Sequence, residues 1–261
     1  MIEATSNKRV REVVNLRKKA SYRREKGLFT VEGQRIFEEV PIEEVREVYV
    51  TENFLKNAKA EIREKLERVK YELVSETVFS LMSDTKTPQG VLAVVKQRKY
   101  CLEEILATEK QHLLILERLQ DPGNLGTIIR AGEGAGLTGV IMSGDTADIY
   151  NPKVIRSTMG SIFRVPFVYV EDLGNAIEKM RATGIKVYAA HLQGEHSYDR
   201  EDYTHSSAFL IGNEANGLTQ DVARHATHYI RIPMLGQLES LNAAVAASIL
   251  MYELARQRRG E

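Results

Sequence analysis

Short apolar bursts alternate with helical stretches through the C-terminal part of this chain. The bursts are HLLILERL from His112, then VIMS, FVYV, VYAA, FLIGNE and YIRIP. They lack strict apolar–polar alternation, which indicates strands buried on both faces of a mostly parallel sheet with helices on each side. The connection from Asp172 to Thr183, closed by Gly184, has the length of a crossover helix with a glycine cap. The pattern predicts a doubly wound α/β domain over residues 111–261.

A different pattern covers residues 1–98. Four apolar runs predict strands, namely LFTVEG, VREVYV, YELV and GVLAVVK, and the stretches FLKNAKAEIREKLERV and ETVFSLMS predict helices between them. Ser6 is expected to cap a first helix that ends near Gly27. We therefore predict a small N-terminal α/β domain over residues 1–98, and a charged linker over residues 99–110.

The composition indicates the cellular compartment of the protein and argues against a membrane role. Apolar residues make up 43% of the chain and charged residues 28%, which is typical of a globular protein. No apolar run is long enough to span a bilayer, so no membrane partner is expected. The N-terminus lacks the apolar core of a secretory signal, and the single cysteine, Cys101, cannot form an internal disulfide. Both observations predict a cytoplasmic protein.

Positive charge is concentrated near the N-terminus. The chain has 36 basic and 36 acidic residues, so a nucleic-acid role would depend on local clusters. Residues 1–26 carry one such cluster, and within it Arg17, Lys18, Arg23 and Arg24 are the predicted RNA-binding residues. The alternative is an ordinary solvated helix face.

The first motif with chemical potential is DPGNLGTIIRAGEGAGLTGV, from Asp121 to Val140. A strand runs into a Pro-Gly turn, Asn124 can cap the following helix, and Arg130 lies about one and a half turns further on. The alternative is a capped helix with a surface arginine. The glycines at 134, 136 and 139 match a dinucleotide fingerprint, but they follow a helix and lead into a strand, so we reject that assignment.

The second motif, FLIGNEANGLT, follows a buried strand. Gly212 would allow backbone to approach a ligand closely, and Glu214 lies at the carboxyl end of the strand, where α/β sheets bind ligands. Gly217 is expected to have a positive φ, and Thr219 to cap the next helix. The alternative for Glu214 is an exposed turn carboxylate.

The third motif, IPMLGQLESLNAAVA, joins a strand to a long Ala-rich helix for which Ser240 is the expected N-cap. Ile232, Met234, Leu238 and Leu241 offer an apolar cradle, and Gly236 with its neighbours offers backbone amides. Such a pocket suits an adenine ring and a sulfonium side chain. No phosphate-binding G-x-x-x-x-G-K-[ST] loop occurs, which argues against an NTPase.

Together, NLGTIIR, IGNEANGL and IPMLGQLESLNAAVA resemble the three motifs of the SpoU/TrmH family of RNA ribose 2′-O-methyltransferases, in the SPOUT superfamily. FTVEGQRIFEEV and TKTPQGVLAVV are similar to the family's N-terminal substrate-binding domain. The resemblance implies a deep trefoil knot in the C-terminal domain, no metal, and a homodimer in which Arg130 reaches toward the partner's cofactor. Its substrate would be structured RNA, most readily ribosomal RNA.

The resemblance also implies a set of site residues. The polar catalytic site would comprise Asn124, Arg130, Glu214, Ser240 and Asn242. S-adenosylmethionine would be held by Gly212, Asn213, Gly217, Ile232, Met234, Gly236 and Leu241.

Other functions remain open at this stage. One is a non-catalytic RNA-binding protein of the same fold, although such a protein need not retain all five polar residues. The others are a tRNA ribose methyltransferase and, less well matched by the third motif, a base methyltransferase of the superfamily. His205, His225 and His228 lack the cysteines or carboxylates that would complete a tetrahedral zinc site, so no metal centre is predicted.

Overall fold

A computed structural model describes residues 1–192 and 194–260, which form eleven strands and twelve α-helices. The strands are β1 (Leu28–Glu32), β2 (Val45–Val50), β3 (Tyr71–Leu73), β4 (Val91–Lys96), β5 (His112–Leu116), β6 (Gly139–Ser143), β7 (Phe167–Val170), β8 (Lys186–Ala190), β9 (His196–Ser197), β10 (Ser207–Ile211) and β11 (His228–Arg231). The helices are α1 (Lys8–Lys18), α2 (Ala20–Lys26), α3 (Gln34–Glu39), α4 (Glu52–Asn57), α5 (Ala60–Arg68), α6 (Glu76–Met82), α7 (Leu102–Leu106), α8 (Pro122–Gly134), α9 (Pro152–Thr158), α10 (Leu173–Ala182), α11 (Gln220–Ala223) and α12 (Ala243–Arg259).

The first compact unit comprises residues 1–98 and 148–163. Its sheet has the order β1-β4-β2-β3, in which β4 runs antiparallel to β1 and β2, and β3 runs parallel to β2. The four strands lie at the four predicted apolar runs. Helices α1 and α6 cover one face, where Val10, Val13, Leu16, Phe79 and Met82 form a buried cluster. The N-terminal α/β sandwich is therefore confirmed at the level of its elements.

The first helix differs from the prediction at its start and in its middle. Asn7, not Ser6, is the N-cap, because its side chain accepts a hydrogen bond from the Arg9 amide. Lys19 adopts an extended conformation and separates α1 from α2. Gly27 then ends α2 in the left-handed region at φ 63°, close to the predicted end. A run of charged residues offers no periodic signal that would locate the break.

Residues 148–163 pack within this first unit, whereas the sequence assigned all of 111–261 to the second domain. Asn151 caps α9, and Pro152 occupies the first position of the helix. The Tyr150 ring lies 4.5 Å from the ring of Phe29, measured between centroids, and its hydroxyl donates to the carbonyl of Arg98. These partners are remote in sequence, so local pattern could not reveal them.

The second unit comprises residues 99–147 and 164 onwards. Its seven-stranded sheet has the order β7-β6-β5-β10-β8-β11-β9, and every pair of neighbouring strands is parallel. All five residues of β5 and of β10 are buried, which explains their continuous apolar sequences. The predicted doubly wound, mostly parallel sheet is confirmed. The two-residue strand β9 was not predicted.

The predicted linker over residues 99–110 contributes to the core of the second unit. Leu102 and Ile105, on α7, belong to its buried apolar cluster. A Cβ on Gly139 would lie 2.4 Å from Ile105 Cγ2, so α7 packs closely against the start of β6. Charged residues around these two apolar positions concealed a short amphipathic helix.

Helix α12 packs on α8, and small residues permit the close approach. Ala243, Ala244 and Ala247 are buried. A Cβ on Gly134 would lie 2.9 Å from the Tyr252 hydroxyl. This glycine of the rejected dinucleotide fingerprint therefore has a packing role. In the described part of the chain, no helix is long and apolar enough to cross a membrane.

Candidate active site

The three motifs follow the carboxyl ends of strands in one parallel sheet. Motif one follows β5 and motif two follows β10, which is the neighbour of β5, while motif three follows β11. The chain leaves β5 toward β6 and β7 on one side and later forms β8, β10 and β11 on the other. A crevice outside the carboxyl ends is expected at such a reversal of strand order.

A chain of side-chain hydrogen bonds connects the three motifs. Asn242 Nδ2 donates to Asn124 Oδ1 at 3.0 Å, and Asn124 Nδ2 donates to Glu214 Oε1 at 3.0 Å. The partners are 118 and 90 residues apart in sequence. Three of the five predicted catalytic residues are therefore hydrogen-bonded in series, with Asn124 between Asn242 and Glu214.

Asn242 fixes the direction of this chain because it is the N-cap of α12. Its Oδ1 accepts from the amides of Ala244 and Val245 at 2.9 and 3.3 Å, so its Nδ2 must face Asn124. The prediction that Ser240 is the cap is wrong: the helix begins at Ala243, and Ser240 is exposed in the preceding loop. Ser240 and Asn242 are both residue types that can cap a helix, and only Asn242 directly precedes the first residue of α12.

A similar correction applies to α8. Its N-cap is Asp121, whose Oδ1 accepts from the Asn124 amide at 2.7 Å, so Asn124 lies in the first turn of the helix. Pro122 occupies the first helical position, where its missing N–H costs nothing. Since Asn124 is not used as a cap, its side chain is available to both Glu214 and Asn242.

Glu214 accepts three hydrogen bonds. Besides Asn124, the backbone amides of Gln120 and Asp121 donate to its carboxylate at 3.2 and 3.1 Å. Burial alone would raise the pKa of the Glu214 carboxyl, but the donors outweigh it and lower the pKa below its ordinary value. Glu214 is therefore ionised at neutral pH, and its lone pairs are directed at motif one. It suits orientation of Asn124 better than removal of a proton.

Gly212 and Gly217 shape the loop that carries Glu214. Backbone hydrogen bonds of 3.0 and 2.9 Å join Asn213 and Gly217 in both directions, and Gly217 has a φ of 66°, as predicted. A Cβ on Gly212 would lie 2.2 Å from the carbonyl carbon of Gly217. The loop itself therefore approaches Gly212 closely, which requires the absence of a side chain at this position.

Asn213 is also used within the protein. Its Oδ1 accepts from the amides of Ala215 and Asn216, and its Nδ2 donates to the carbonyl of Arg118 at 2.8 Å. The side chain therefore ties the second motif to the chain that follows β5. Cofactor binding by Asn213, which the resemblance implied, would have to use its backbone or compete with these three bonds.

Glu117 is a residue that the sequence analysis missed. It is 3% exposed and accepts from both the amide and the hydroxyl of Thr219, at 2.8 and 2.6 Å. Thr219 in turn caps α11 through its Oγ1, as predicted. The available signal was a glutamate immediately after an apolar strand, since such a buried carboxylate requires donors.

The loop of motif three combines apolar side chains with unpaired backbone. Leu235 and Leu238 are exposed, at 101% and 70%, while Ile232, Met234 and Leu241 are half-buried. Among the backbone hydrogen bonds of the described residues, none involves residues 233–241. A Cβ on Gly236 would meet nothing within 4 Å. Backbone polar groups need partners, so this loop can bind a ligand that has both apolar and polar parts.

Arg130 does not join the hydrogen-bonded chain. It lies six residues beyond Asn124, which is about 9 Å along the axis of α8. Its side chain is exposed, and no hydrogen bond or ion pair connects it to another residue in the described part of the chain. A phosphate or a second protein chain could reach it.

Only some of the side chains in the N-terminal basic cluster are exposed. Arg23 is 3% exposed; its Nε donates to Asp148 at 2.9 Å and its Nη1 to the carbonyl of Leu16 at 2.7 Å. Arg17 donates to the carbonyls of Leu81 and Ser83. The prediction that Arg23 binds RNA is wrong, because its charge is paired inside the first unit, and Arg17 is largely committed to backbone. Lys18 and Arg24 are exposed, as an RNA contact requires.

No metal centre emerges among residues 1–192 and 194–260. These residues contain no group of three or more His, Cys, Asp and Glu side chains that could hold a metal ion. His225 instead lies 2.8 Å from Glu178, and the His228 ring stacks on Tyr188.

Comparison with known proteins identifies the family. A model described as the SpoU rRNA Methylase family matches residues 111–252, and one for the MRM3-like substrate binding domain matches residues 7–93. The chain is 35% identical to the 23S rRNA (guanosine(2553)-2′-O)-methyltransferase RlmP of Bacillus subtilis over 254 residues, covering 97% of this chain and 98% of that protein. This chain belongs to the SpoU rRNA methylase family. The resemblance inferred from the three motifs is confirmed.

Other SpoU proteins give the same picture. The 23S rRNA (uridine(2479)-2′-O)-methyltransferase of Streptomyces viridochromogenes is 35% identical over 204 residues, covering 75% of this chain and 71% of that protein. The crystal structure of AviRb from the same organism, in complex with AdoMet, matches with a TM-score of 0.86 and 32% identity over 97% of this chain and 98% of that one. An AdoMet-bound rRNA methyltransferase from Sinorhizobium meliloti matches with a TM-score of 0.86 and 31% identity over 98% and 97% of the two chains. The SpoU fold is thereby confirmed, while the trefoil knot stays a prediction.

Proposed function

We propose that this SpoU protein transfers a methyl group from S-adenosylmethionine to a ribose 2′-hydroxyl of 23S ribosomal RNA. The observation that carries the proposal is the hydrogen-bonded chain Asn242–Asn124–Glu214, which joins three motifs remote in sequence at one edge of the sheet. Such a chain holds polar groups in fixed positions, and positioning is the main requirement of an in-line displacement. Relatives named as 23S rRNA 2′-O-methyltransferases support the substrate.

The loop at residues 232–241 fits S-adenosylmethionine. Its exposed leucines can cover the adenine and the methionine side chain, and its unpaired backbone groups can bind their polar edges. When bound, the cofactor supplies an electrophilic methyl group on a sulfonium sulfur. Two similar proteins were crystallised with AdoMet bound.

The polar residues then have distinct tasks. Glu214, ionised and accepting three hydrogen bonds, accepts from the Nδ2 of Asn124, and Asn242 donates to the Oδ1 of Asn124. Arg130 contacts an RNA phosphate, because its guanidinium stays protonated and its side chain is exposed. Ser240, which is not required as a helix cap, lies in the loop beside Asn242 and is available to the ribose.

We further infer a homodimer through α12. Val245 and Tyr252 are 47% and 49% exposed, and their seven-residue separation places them on one face of the helix. A second copy would cover this apolar face, and it would also give the exposed Arg130 a cofactor site to reach. A ribosomal RNA substrate implies a cytoplasmic location in a bacterium.

A methyl-transfer assay tests the function. Purified protein is incubated with methyl-labelled S-adenosylmethionine and an unmodified transcript of full-length 23S rRNA. We expect label in an alkali-resistant dinucleotide, since a 2′-O-methyl group blocks hydrolysis of the adjacent phosphodiester. Light scattering on the same sample tests the dimer. The absence of labelled RNA would refute the proposal, and label in a parallel tRNA reaction alone would replace the substrate.

A matched pair of variants tests the hydrogen-bonded chain. Asn124→Ala should lower kcat about a hundredfold, because Glu214 and Asn242 lose their common partner and the polar groups shift. Asn175 occupies the same position in α10 as Asn124 does in α8, because its amide donates to the N-cap Asp172 as the amide of Asn124 donates to Asp121. Its side chain is exposed and takes no part in the hydrogen bonds between the three motifs. Asn175→Ala should leave kcat unchanged. Equal kcat values in the two variants would contradict the role given to Asn124.

A further inference from the structure

Arg118 has a backbone conformation that its residue type disfavours. It lies two residues beyond the end of β5 with a φ of 56°, and among the described residues the one other non-glycine with positive φ is Met159, at 49°. In this left-handed region a Cβ is strained, so glycine or asparagine would be favoured. The presence of arginine therefore calls for a reason in its side chain.

The backbone bonds explain why the conformation persists. The Arg118 amide donates to Ser143 Oγ at 2.9 Å, and its carbonyl accepts from Asn213 Nδ2 at 2.8 Å. These bonds join the ends of β5, β6 and β10. Any residue could form them, because they use only main-chain atoms of position 118. These backbone bonds therefore do not explain why the residue at position 118 is an arginine.

The side chain is held in place but remains accessible. Its Nε lies 3.0 Å from Asp145 Oδ2, and the two side chains are 56% and 55% exposed. Asp145 is itself fixed, since its Oδ1 accepts from Ser143 Oγ at 2.6 Å and its carbonyl accepts from Gln120 Nε2 at 2.7 Å. In the described part of the chain, the contact with Asp145 is the one polar contact of the Arg118 side chain.

Stability does not explain this arginine either. An ion pair as exposed as Arg118–Asp145 contributes little to folding, while the left-handed backbone opposes it. The two terminal amino groups retain donors for a ligand. Gln120, which braces Asp145, also donates its amide to Glu214, so the guanidinium belongs to the same loop system as the candidate site.

We infer that Arg118 binds a phosphodiester of the RNA strand that enters the crevice, and that it positions this strand for reaction. The inference depends on the proposed function for the identity of the ligand. A guanidinium with one edge fixed by a carboxylate presents its remaining donors in a preset direction, which suits phosphate oxygens. Strain at an exposed residue of a candidate site is typical of such a role.

The test compares RNA binding by matched variants over a salt series. Arg118→Gly keeps the left-handed backbone and removes the guanidinium. With the 23S rRNA transcript as the probe, we expect affinity at about 0.1 M salt to fall about tenfold, and the slope of log K against log salt to decrease by about one. Binding of S-adenosylmethionine, measured by calorimetry, should be unchanged. Arg118→Lys should restore the slope, because it restores the charge.

Two controls separate phosphate binding from other effects. Met159→Gly relieves the same kind of backbone strain in the first unit. Arg181→Gln removes an arginine that is also exposed and ion-paired, 3.0 Å from Glu178, at the end of α10 before β8 begins. Neither should alter the salt slope. If Arg118→Gly changes the slope no more than these controls, the inference is overturned.

A folding defect would not obscure the result. Arg118→Asn also tolerates the left-handed region and serves as the second charge-removing variant. Failure of the unaltered protein to methylate RNA would reject the proposed function. An unaltered protein that methylates RNA, together with an unchanged slope in Arg118→Gly and Arg118→Asn, would reject only the role of Arg118.

Discussion

Replacing Gly212 by alanine should destabilise the second unit through a single backbone clash. The added Cβ would lie 2.2, 2.3 and 2.4 Å from Gly217 C, Leu218 N and Gly217 O. Ordinary contacts of a Cβ begin near 3.4 Å, so the neighbouring backbone would have to move by about an ångström. Overpacking typically costs about 1 to 3 kcal/mol, and the upper end applies because backbone cannot swing aside as a side chain can.

Two other glycines in the candidate site provide a graded comparison. Gly217 lies in open space but has a φ of 66°, so Gly217→Ala should cost about 1 kcal/mol of left-handed strain. Gly236 has open space and no positive φ, so Gly236→Ala should change the free energy of unfolding by less than about 0.5 kcal/mol. The predicted order of destabilisation is Gly212, Gly217, Gly236.

Urea denaturation of the three variants measures this order, with the slope against urea checked for constancy. The Gly212→Ala variant should also bind S-adenosylmethionine more weakly than the unaltered protein, because the loop that carries Glu214 must move. A Gly212→Ala variant as stable as Gly236→Ala would refute the reasoning. It would mean that the Asn213–Gly217 loop does not pack on Gly212 in solution.

Two further predictions concern buried charge and pH. Arg23→Gln should lower the free energy of unfolding by about 3 kcal/mol, because it leaves Asp148 without its buried partner, whereas Arg24→Gln should change it by less than about 0.5 kcal/mol; equal unfolding midpoints would contradict the burial of Arg23. Burial of His112, with the charge of Arg258 nearby, lowers its pKa from 6.5 to about 4, so the unfolded chain takes up this proton first as the pH falls. The free energy of unfolding should therefore be unaffected by His112 above pH 6.5 and should decrease by about 3 kcal/mol as the pH falls toward 4. A His112→Gln variant whose unfolding has the same pH dependence as that of the unaltered protein would rule this out.

Sequence patterns predicted the elements of this protein better than their ends. Strands β5 and β10 are recognisable because burial on both faces demands continuous apolar residues. Helix starts were harder to locate, since Asp121 and Asn124, or Ser240 and Asn242, are all chemically able to cap. Only the position of the first helical amide, which is set by packing, decides between them.

Contacts between remote residues set a second limit. From the sequence alone, Arg23 cannot be distinguished from a solvent-exposed cation, because its partner Asp148 lies 125 residues further along the chain. The strain at Arg118 leaves no local signal at all, since it arises from bonds to Ser143 and Asn213. By contrast, resemblance to a family selected Asn124, Glu214 and Asn242, which the structure brings into contact, although it could not give the order in which they bond.

Because the Asn242–Asn124–Glu214 hydrogen bonds have a fixed direction, a substitution in one motif affects the side chains of the other two. Each asparagine has one accepting and one donating end, and the amides of α12 determine which end faces which way. Aspartate at position 242 could still cap the helix, but it would offer Asn124 no donor. Asn124 would then reverse its amide and turn its oxygen toward the Glu214 carboxylate. One isosteric exchange at the start of a helix would thus be transmitted to a carboxylate two side chains away.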